Sequence, residues 1–290
     1  MTNNNSHTSA LFHYTRNQNI IFGILREGLK FSYCKEKFSA NLCLGIPMIS
    51  FCDIPISHSS EHSSKYGQYA IALSKENLMS KYKGALNPVN YFTSISSVEA
   101  AFRLKDEAIN SKQKLNDISR NAEGKEVTIK IDGAIYKGKG LGAEHVQDVL
   151  QLFFNSINYH HYATQAIGFM KAYQSQHNGK NQINYDECEW RIVLPENAKL
   201  EDKTLCKWFW NENEYDNWRN NREDKFVHGM SLLFTVDDIE YIIVPNKDLI
   251  PNFIKRLIKL KSLCGQELNN RERYSLVSKV ISLEQIKRDF

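Results

Sequence analysis

Tyr185-Asp186-Glu187-Cys188-Glu189-Trp190-Arg191-Ile192-Val193-Leu194-Pro195 is the stretch on which the reading of this chain turns. Three acidic residues in four positions run straight into Trp-Arg-Ile-Val-Leu. The second half is β-branched and aromatic and stops at a proline, which predicts a strand. Side chains alternate along a strand, so Glu187, Glu189 and Arg191 are expected on one face and Cys188, Trp190 and Ile192 on the other. Two carboxylates at the mouth of a buried strand are costly to desolvate unless they have a partner or a task. The plain alternative is an exposed strand end on which Glu and Arg pair.

Upstream of this stretch, residues 175–184 are polar and read as a loop. Glu144 to about Gln174 reads as a long helix that breaks near His160-His161. Downstream, Trp208, Phe209, Trp210 and Trp218 lie close to Arg219 and Arg222. Such a cluster serves either as core or as a stacking platform for bases. Leu232-Leu233-Phe234 and Tyr241 to Val244 read as strands, Lys247 to Leu263 as an amphipathic helix, and 271–290 as a last strand or helix.

At the other end, Leu11 to Thr15 is a short strand. A polar turn follows in which Asn17 or Asn19 is placed to cap a helix through Leu29, with Gly28 to end it. Residues 30–45 read as loop. Ile46 to Pro55 reads as a second strand, Tyr69 to Leu73 as a third, Lys75 to Met79 as a helical turn and Asn87 to Tyr91 as extended. Ser96 to about Arg120 is a charged helix. Val127 to Tyr136 carries Asp132-Gly133 between apolar runs, a hairpin signal, flanked by Lys125, Lys130, Lys137 and Lys139. Short strands irregularly interrupted by helices predict an α+β domain spanning 1–290, with an insertion at about 96–142.

Composition limits the function classes. The chain has 290 residues and a formal net charge of +4, compatible with a polyanionic partner. The six cysteines form no Cys-x-x-Cys pair, and no zinc spacing is present, so a metal is not expected. His58 and His62 are spaced for one helix face, but no third ligand is evident. Met1 to Ser9 carry no apolar signal core and no run reaches transmembrane length, which predicts a cytoplasmic protein without a membrane partner.

Phe12-His13-Tyr14-Thr15, followed by Asn19-Ile20, Ile24-Leu25 and Gly28-Leu29, resembles the first NAD-binding motif of DarT-like mono-ADP-ribosyltransferases. Together with Ser50-Phe51-Cys52-Asp53-Ile54-Pro55, the pair Lys171 and Tyr173, and the Glu-Trp-Arg strand, the whole is similar to AbiGi-type abortive-infection proteins. The resemblance covers most of 11–90 and 165–290. It implies an ADP-ribosyltransferase-like split two-sheet core that clasps NAD in its cleft. It also implies a toxin of a phage-defence or toxin–antitoxin system with a cognate antitoxin. His13 and Thr15 fall in the cofactor motif and Ser50 on the second strand. Tyr14, Phe51 and Tyr66 are alternatives for stacking on nicotinamide. Glu189 would bond the ribose 2′-OH and Glu187 would prepare the acceptor, while Lys171 either pairs with a pyrophosphate or is a solvated helix lysine. The acceptor implied is nucleic acid, RNA ahead of DNA; a protein acceptor and a non-catalytic antitoxin or binding module of the same fold are the alternatives.

Overall fold

The computed structural model describes residues 8–39, 42–121, 126–131, 134–139, 155, 158–177, 180–222 and 225–289. The chain divides into two compact units, residues 1–93 with 171–290, and residues 94–170.

The first unit opens with β1 (Ala10–Thr15), buried along nearly all its length. Asn17 accepts the Ile20 N–H at 3.1 Å and starts α1 (Gln18–Glu27), which turns Ile21, Phe22, Ile24 and Leu25 inward. Gly28 ends it at φ 81°, and a Cβ there would meet the Leu232 carbonyl oxygen at 2.6 Å, so glycine is required twice over. Then come β2 (Leu29–Lys37), β3 (Cys43–Cys52), α2 (Ser60–Tyr66), β4 (Tyr69–Ser74), α3 (Lys75–Lys81), β5 (Leu86–Pro88) and β6 (Asn90–Phe92).

The second unit holds α4 (Ile95–Asn121), the hairpin of β7 (Glu126–Ile131) and β8 (Ala134–Lys139), and α5 (residues 158–168). Ile131 pairs with Ala134; the expected Asp132-Gly133 turn and Lys125 lie outside the described residues. The chain returns through β9 (Met170–Ala172), β10 (Gln174–His177), β11 (Lys180–Ile183), β12 (Glu189–Val193), α6 (Glu212–Asn220), β13 (Phe226–Leu232) and β14 (Ile239–Val244). It finishes with α7 (Ile250–Ile258), β15 (Ser262–Leu263), β16 (Gln266–Glu267), α8 (Asn270–Ser278), β17 (Val280–Ser282) and α9 (Leu283–Asp289).

The architecture is mixed α+β, as expected. Nine strands form the main sheet in the order β13-β2-β3-β1-β4-β14-β17, with β12 on β3 and β5 on β12. Among the described residues, of the strand pairs with an assigned register, only β14 with β17 is parallel. The sheet forks at β3. Residues 43–48 of β3 pair with β2, whereas Cys52 pairs with Phe12 of β1. Strand β12 runs along Met48–Cys52 on the opposite edge. So β1 and β2 follow one another along a single edge of β3, with a gap between them at Ile49–Phe51.

Four expectations need correction. Within residues 30–45, the stretches 30–37 and 43–45 are strand rather than loop, and 40–41 lie outside the described residues: Leu29, Phe31 and Tyr33 alternate inward along β2, a period hidden by the charged second half Lys35-Glu36-Lys37. Within the stretch 175–184, expected as loop, β10 and β11 pair antiparallel from Gln174 with Ile183 to His177 with Lys180. The helix expected from Glu144 to about Gln174 stops by 168 and gives way to β9, and its first part, residues 144–154, lies outside the described residues. The helix expected through Leu263 ends at Ile258, and β15 follows. Two members of the aromatic cluster are core and Trp210 and Trp218 are half-buried: Trp208 is 1% exposed with its indole N–H on the Leu194 carbonyl, and Phe209 pairs with Gly45 through both backbone bonds.

Candidate active site

Most of the expected site residues converge. His13, Tyr14, Ser50, Phe51, Tyr66, Lys171, Glu187 and Glu189 line one cleft of about 510 Å³ in the first unit, on the face of the fork. Alternation on β2 supplies its wall: Lys30, Ser32, Cys34 and Glu36 face the cleft while the odd-numbered apolar residues face the core. Thr15 is not brought in. It lies outside the lining, its hydroxyl donating to the Asn17 carbonyl at 3.4 Å and its own carbonyl closely approached by Gly67, where a Cβ would sit 2.0 Å from the oxygen.

The gap in the sheet explains His13. With no strand beside Ile49–Phe51, the Ser50 carbonyl lacks a ladder partner on that edge, and His13 Nδ1 donates to it at 2.9 Å. A carbonyl only accepts, so Nδ1 carries the proton and Nε2 of the neutral ring is an acceptor. Burial lowers the His13 pKa, the Ser50 contact acts against this, and the charge of Lys225 adds to it. The Phe51 ring meets the imidazole edge-on at 6.1 Å.

Glu187 is not on the strand. It closes a 3₁₀ turn (Asn184–Glu187), and Cys188 at φ 41° turns the chain left-handed before β12 begins. The expected alternation of Glu187 with Glu189 therefore fails, yet both carboxylates still meet at Lys171. Its ammonium donates to Glu187 Oε2 at 2.8 Å and to Glu189 Oε2 at 2.7 Å. Lys171 is thus neither a helix residue nor solvated. Burial disfavours its charge, but Glu36, Glu189 and Glu187 outweigh burial and hold the pKa well above its ordinary value. Glu189 and Arg191 do share a face, with Arg191 Nε on Glu189 Oε1 at 3.0 Å and its Nη2 on Glu36 at 2.8 Å. This is no exposed strand end: Arg191 is fully buried and the two glutamates are each 7% exposed.

Counting acceptor positions separates the two carboxylates. A carboxylate offers about four lone-pair sites. Glu187 takes Lys65, Tyr66 (2.6 Å) and Gln182 (2.7 Å) on Oε1 besides Lys171 on Oε2, and is filled. Glu189 takes Arg191 on Oε1, with Nε and Nη2 both at 3.0 Å, and Lys171 on Oε2, and keeps room for a further donor on Oε2. Burial raises the Glu187 pKa, but Lys171, Lys65 and Tyr66 bring it down to about 2. Such a carboxylate is a weak proton acceptor near neutral pH. Glu189 is likewise held ionised, with Arg191 and Lys171 overriding burial.

The aromatic wall includes a residue that sequence reading placed elsewhere. His62 packs between Tyr14, with ring centroids 5.0 Å apart, and Tyr66, 4.5 Å apart. Burial lowers its pKa to about 4, against an opposing pull from Glu187. Among the described residues no group of three His, Cys, Asp or Glu could hold a metal. Lys65, Gln182 and Glu36 were missed as site residues, the last two because their strands were read as loops. Tyr91, whose hydroxyl accepts the Glu189 N–H at 2.9 Å, was missed as well. At the β2 end, Lys30 pairs with Glu27, and Lys35 and Lys37 with Glu212, whereas Lys225 has no carboxylate partner among the described residues.

Fold and site together define a mixed α+β protein with a charge-compensated cleft in a forked sheet. The chain belongs to the AbiGi family: the family model described as "Putative abortive phage resistance protein AbiGi, antitoxin" matches residues 24–245. A curated relative, "Abortive phage resistance protein AbiGi" of Lactococcus lactis subsp. cremoris, is 26% identical over 265 residues, 84% of this chain and 89% of the relative. No solved structure matched the chain. Among the described residues no helix is long and apolar enough to cross a membrane.

Proposed function

We propose that this protein is an NAD-consuming ADP-ribosyltransferase of an abortive-infection system, acting as its toxin on a nucleic-acid acceptor and held in check by a cognate antitoxin. The observation that carries the reading is Glu189: an ionised carboxylate with an acceptor position to spare on Oε2, in the same cleft as the Nε2 acceptor of His13 and the rings of Tyr66 and Phe51. Departure of nicotinamide leaves a ribosyl group with oxocarbenium character, as in glycoside hydrolysis. A carboxylate already anionic and water-poor stabilises that charge without reorganising. His13 suits a ribose hydroxyl, which donates to Nε2, and the tyrosine–histidine wall suits a planar ring. Lys225 at the far end, without a carboxylate partner among the described residues, suits a diphosphate. Glu187, saturated and weakly basic, holds Lys171 and the loop before β12 in place rather than taking a proton.

The second reading is a non-catalytic antitoxin of the same fold. Two observations favour it: the family description ends in that word, and Lys171 already occupies one oxygen of each glutamate. The two readings separate in one experiment. Purified protein is incubated with labelled NAD and separate pools of RNA, single-stranded DNA, duplex DNA and cell protein, in parallel with induction in cells. The transferase reading expects labelled product and growth arrest, both reduced by about 10² or more in Glu189→Gln. A label on the protein pool alone would redirect the acceptor. No release of nicotinamide, with wild type and Glu189→Gln both harmless, would leave the antitoxin reading standing.

A further inference from the structure

A second concavity, of about 310 Å³, lies apart from the cleft, between the end of α1 and the segment that follows α7. Phe22 and Leu260 are its buried floor, and Arg26, Arg256, Lys259 and Lys261 are its rim. No carboxylate lines it, and none of the four cations has an ion-pair partner among the described residues. That contrasts with the cleft, where five of six lysines face a glutamate or aspartate. The neighbouring Glu27 is engaged by Lys30 at 2.5 Å.

Helix dipoles account for part of this. Arg26 and Arg256 sit in the last turns of α1 and α7, where cations are favourable. They do not account for Lys261, beyond the helix, nor for two helix ends aiming like charges at one hollow. Arg256 is also pre-set: its guanidinium lies 4.0 Å over the Phe22 ring, which fixes the plane of its donor fork. Behind the floor, Arg273 donates to the Leu260 carbonyl at 2.9 Å and brings a fifth positive charge close.

We propose that this hollow is a phosphate-binding site that grips the backbone of a polynucleotide. Cations on two separate elements, around a space larger than one phosphate, suit consecutive phosphodiesters. Arginine and lysine on an aliphatic and aromatic floor neutralise phosphates without reading bases, so binding is independent of sequence. The site is tied to the cleft by a short piece of chain. Arg26 and Lys30 are four residues apart, so their Cα atoms are at most about 14 Å apart, and a strand held at the hollow passes near the β2 end of the cleft. The inference rests on the nucleic-acid side of the proposed function and not on the use of NAD.

The test is binding of a fluorescent single-stranded oligonucleotide to the full chain, without NAD, across a salt series. Wild type is compared with Arg26→Glu and with a Lys259→Glu, Lys261→Glu double variant. These positions are exposed, and circular dichroism with thermal melting checks the fold. The expected result is a loss of about tenfold or more for the double variant and a salt slope shallower by about 0.7 per lost contact. Competition by millimolar inorganic phosphate or pyrophosphate, with no salt-steep oligonucleotide binding, would reassign the hollow to a free phosphate compound. Poly-glutamate binding as tightly as the oligonucleotide, or folded variants binding with unchanged affinity and slope, would overturn the proposal. Nicotinamide release is measured separately: its absence beside intact oligonucleotide binding sinks the transferase reading alone, and its presence beside unchanged variants sinks this one alone.

Discussion

Strand β4 carries Ala70, Ile71, Ala72 and Leu73 with no exposed surface, and its neighbours β1 and β14 meet them with Leu11, Phe12, Ile242 and Ile243. Strand β12, on the far side of the fork, is as deeply set but carries Glu189 and Arg191, answered by Glu36 from β2 and Lys171 from β9. Strands β4 and β12 are both deeply set, and they are stabilised by different means. Apolar burial is non-directional and forgiving of shape-conserving change. A buried charge network returns little net stability while intact, and costs heavily when one partner is removed. That difference marks the β12 half as the part of the sheet kept for something besides stability.

The comparison breaks most sharply at Arg191. Replacing it by Met leaves Glu189 and Glu36 without their shared cation, and urea denaturation is expected to show a loss of about 3–5 kcal/mol. Adding Glu189→Gln to that variant should recover part of the loss, because the two act as one unit. Second is acid. The Glu187 pKa is depressed to about 2 in the fold, so its contribution is complete above the unfolded value near 4.5 and disappears as pH falls towards 2. A contribution on the order of 3 kcal/mol is expected to go between about pH 5 and pH 2. Glu187→Gln should flatten stability measured across that window.

Third is His62, whose folded pKa of about 4 is also depressed. Its neutral ring favours the fold fully above the unfolded value near 6.5, and the benefit falls away as pH drops towards 4. Discounted for partial exposure, the effect is roughly 2 kcal/mol, and His62→Phe should remove it from the pH profile of the melting temperature. Smallest is the apolar half. Ile71→Val is expected to cost about 1 kcal/mol, by the same amount at pH 4 and pH 7. An Ile71 variant whose cost changes with pH, or an Arg191 variant whose cost does not, would erase the distinction between the halves.

The apolar half was also the half legible in the sequence. Runs such as Tyr69 to Leu73 and Tyr241 to Val244 are continuous and β-branched or aliphatic, and both became strands within a residue or two. Asn17 and Gly28 marked both ends of α1 because caps depend on residue type. The charged half was harder. Strand β2 and the β10–β11 hairpin carry Lys, Glu, Gln and Asn because their polar faces look into a cleft, and a polar strand resembles a loop until its partner is known. The convergence of Glu187 with Glu189 was anticipated for the wrong reason. Strand alternation was the expected cause, whereas the left-handed Cys188 and the reach of Lys171 bring them together. Nothing in Lys65, Gln182 or Glu36 taken singly distinguishes a site residue from a solvated one; only their aim at one carboxylate or one arginine does.

The fork has a further consequence for how the molecule is made. Strand β4 is complete at Ser74, but the partner for its outer edge, β14, begins at Ile239, about 165 residues later. At the roughly 5–20 residues per second of ribosomal synthesis, that edge waits about 8–30 s for its neighbour. The far edges of β2 and β3 wait similarly for β13 and β12. An unpaired apolar strand invites pairing with any other chain. Nascent molecules are therefore at their most adhesive while the ribosome still translates the stretch between the two halves, and chains cut short before Val244 should be recovered as aggregates rather than as folded fragments.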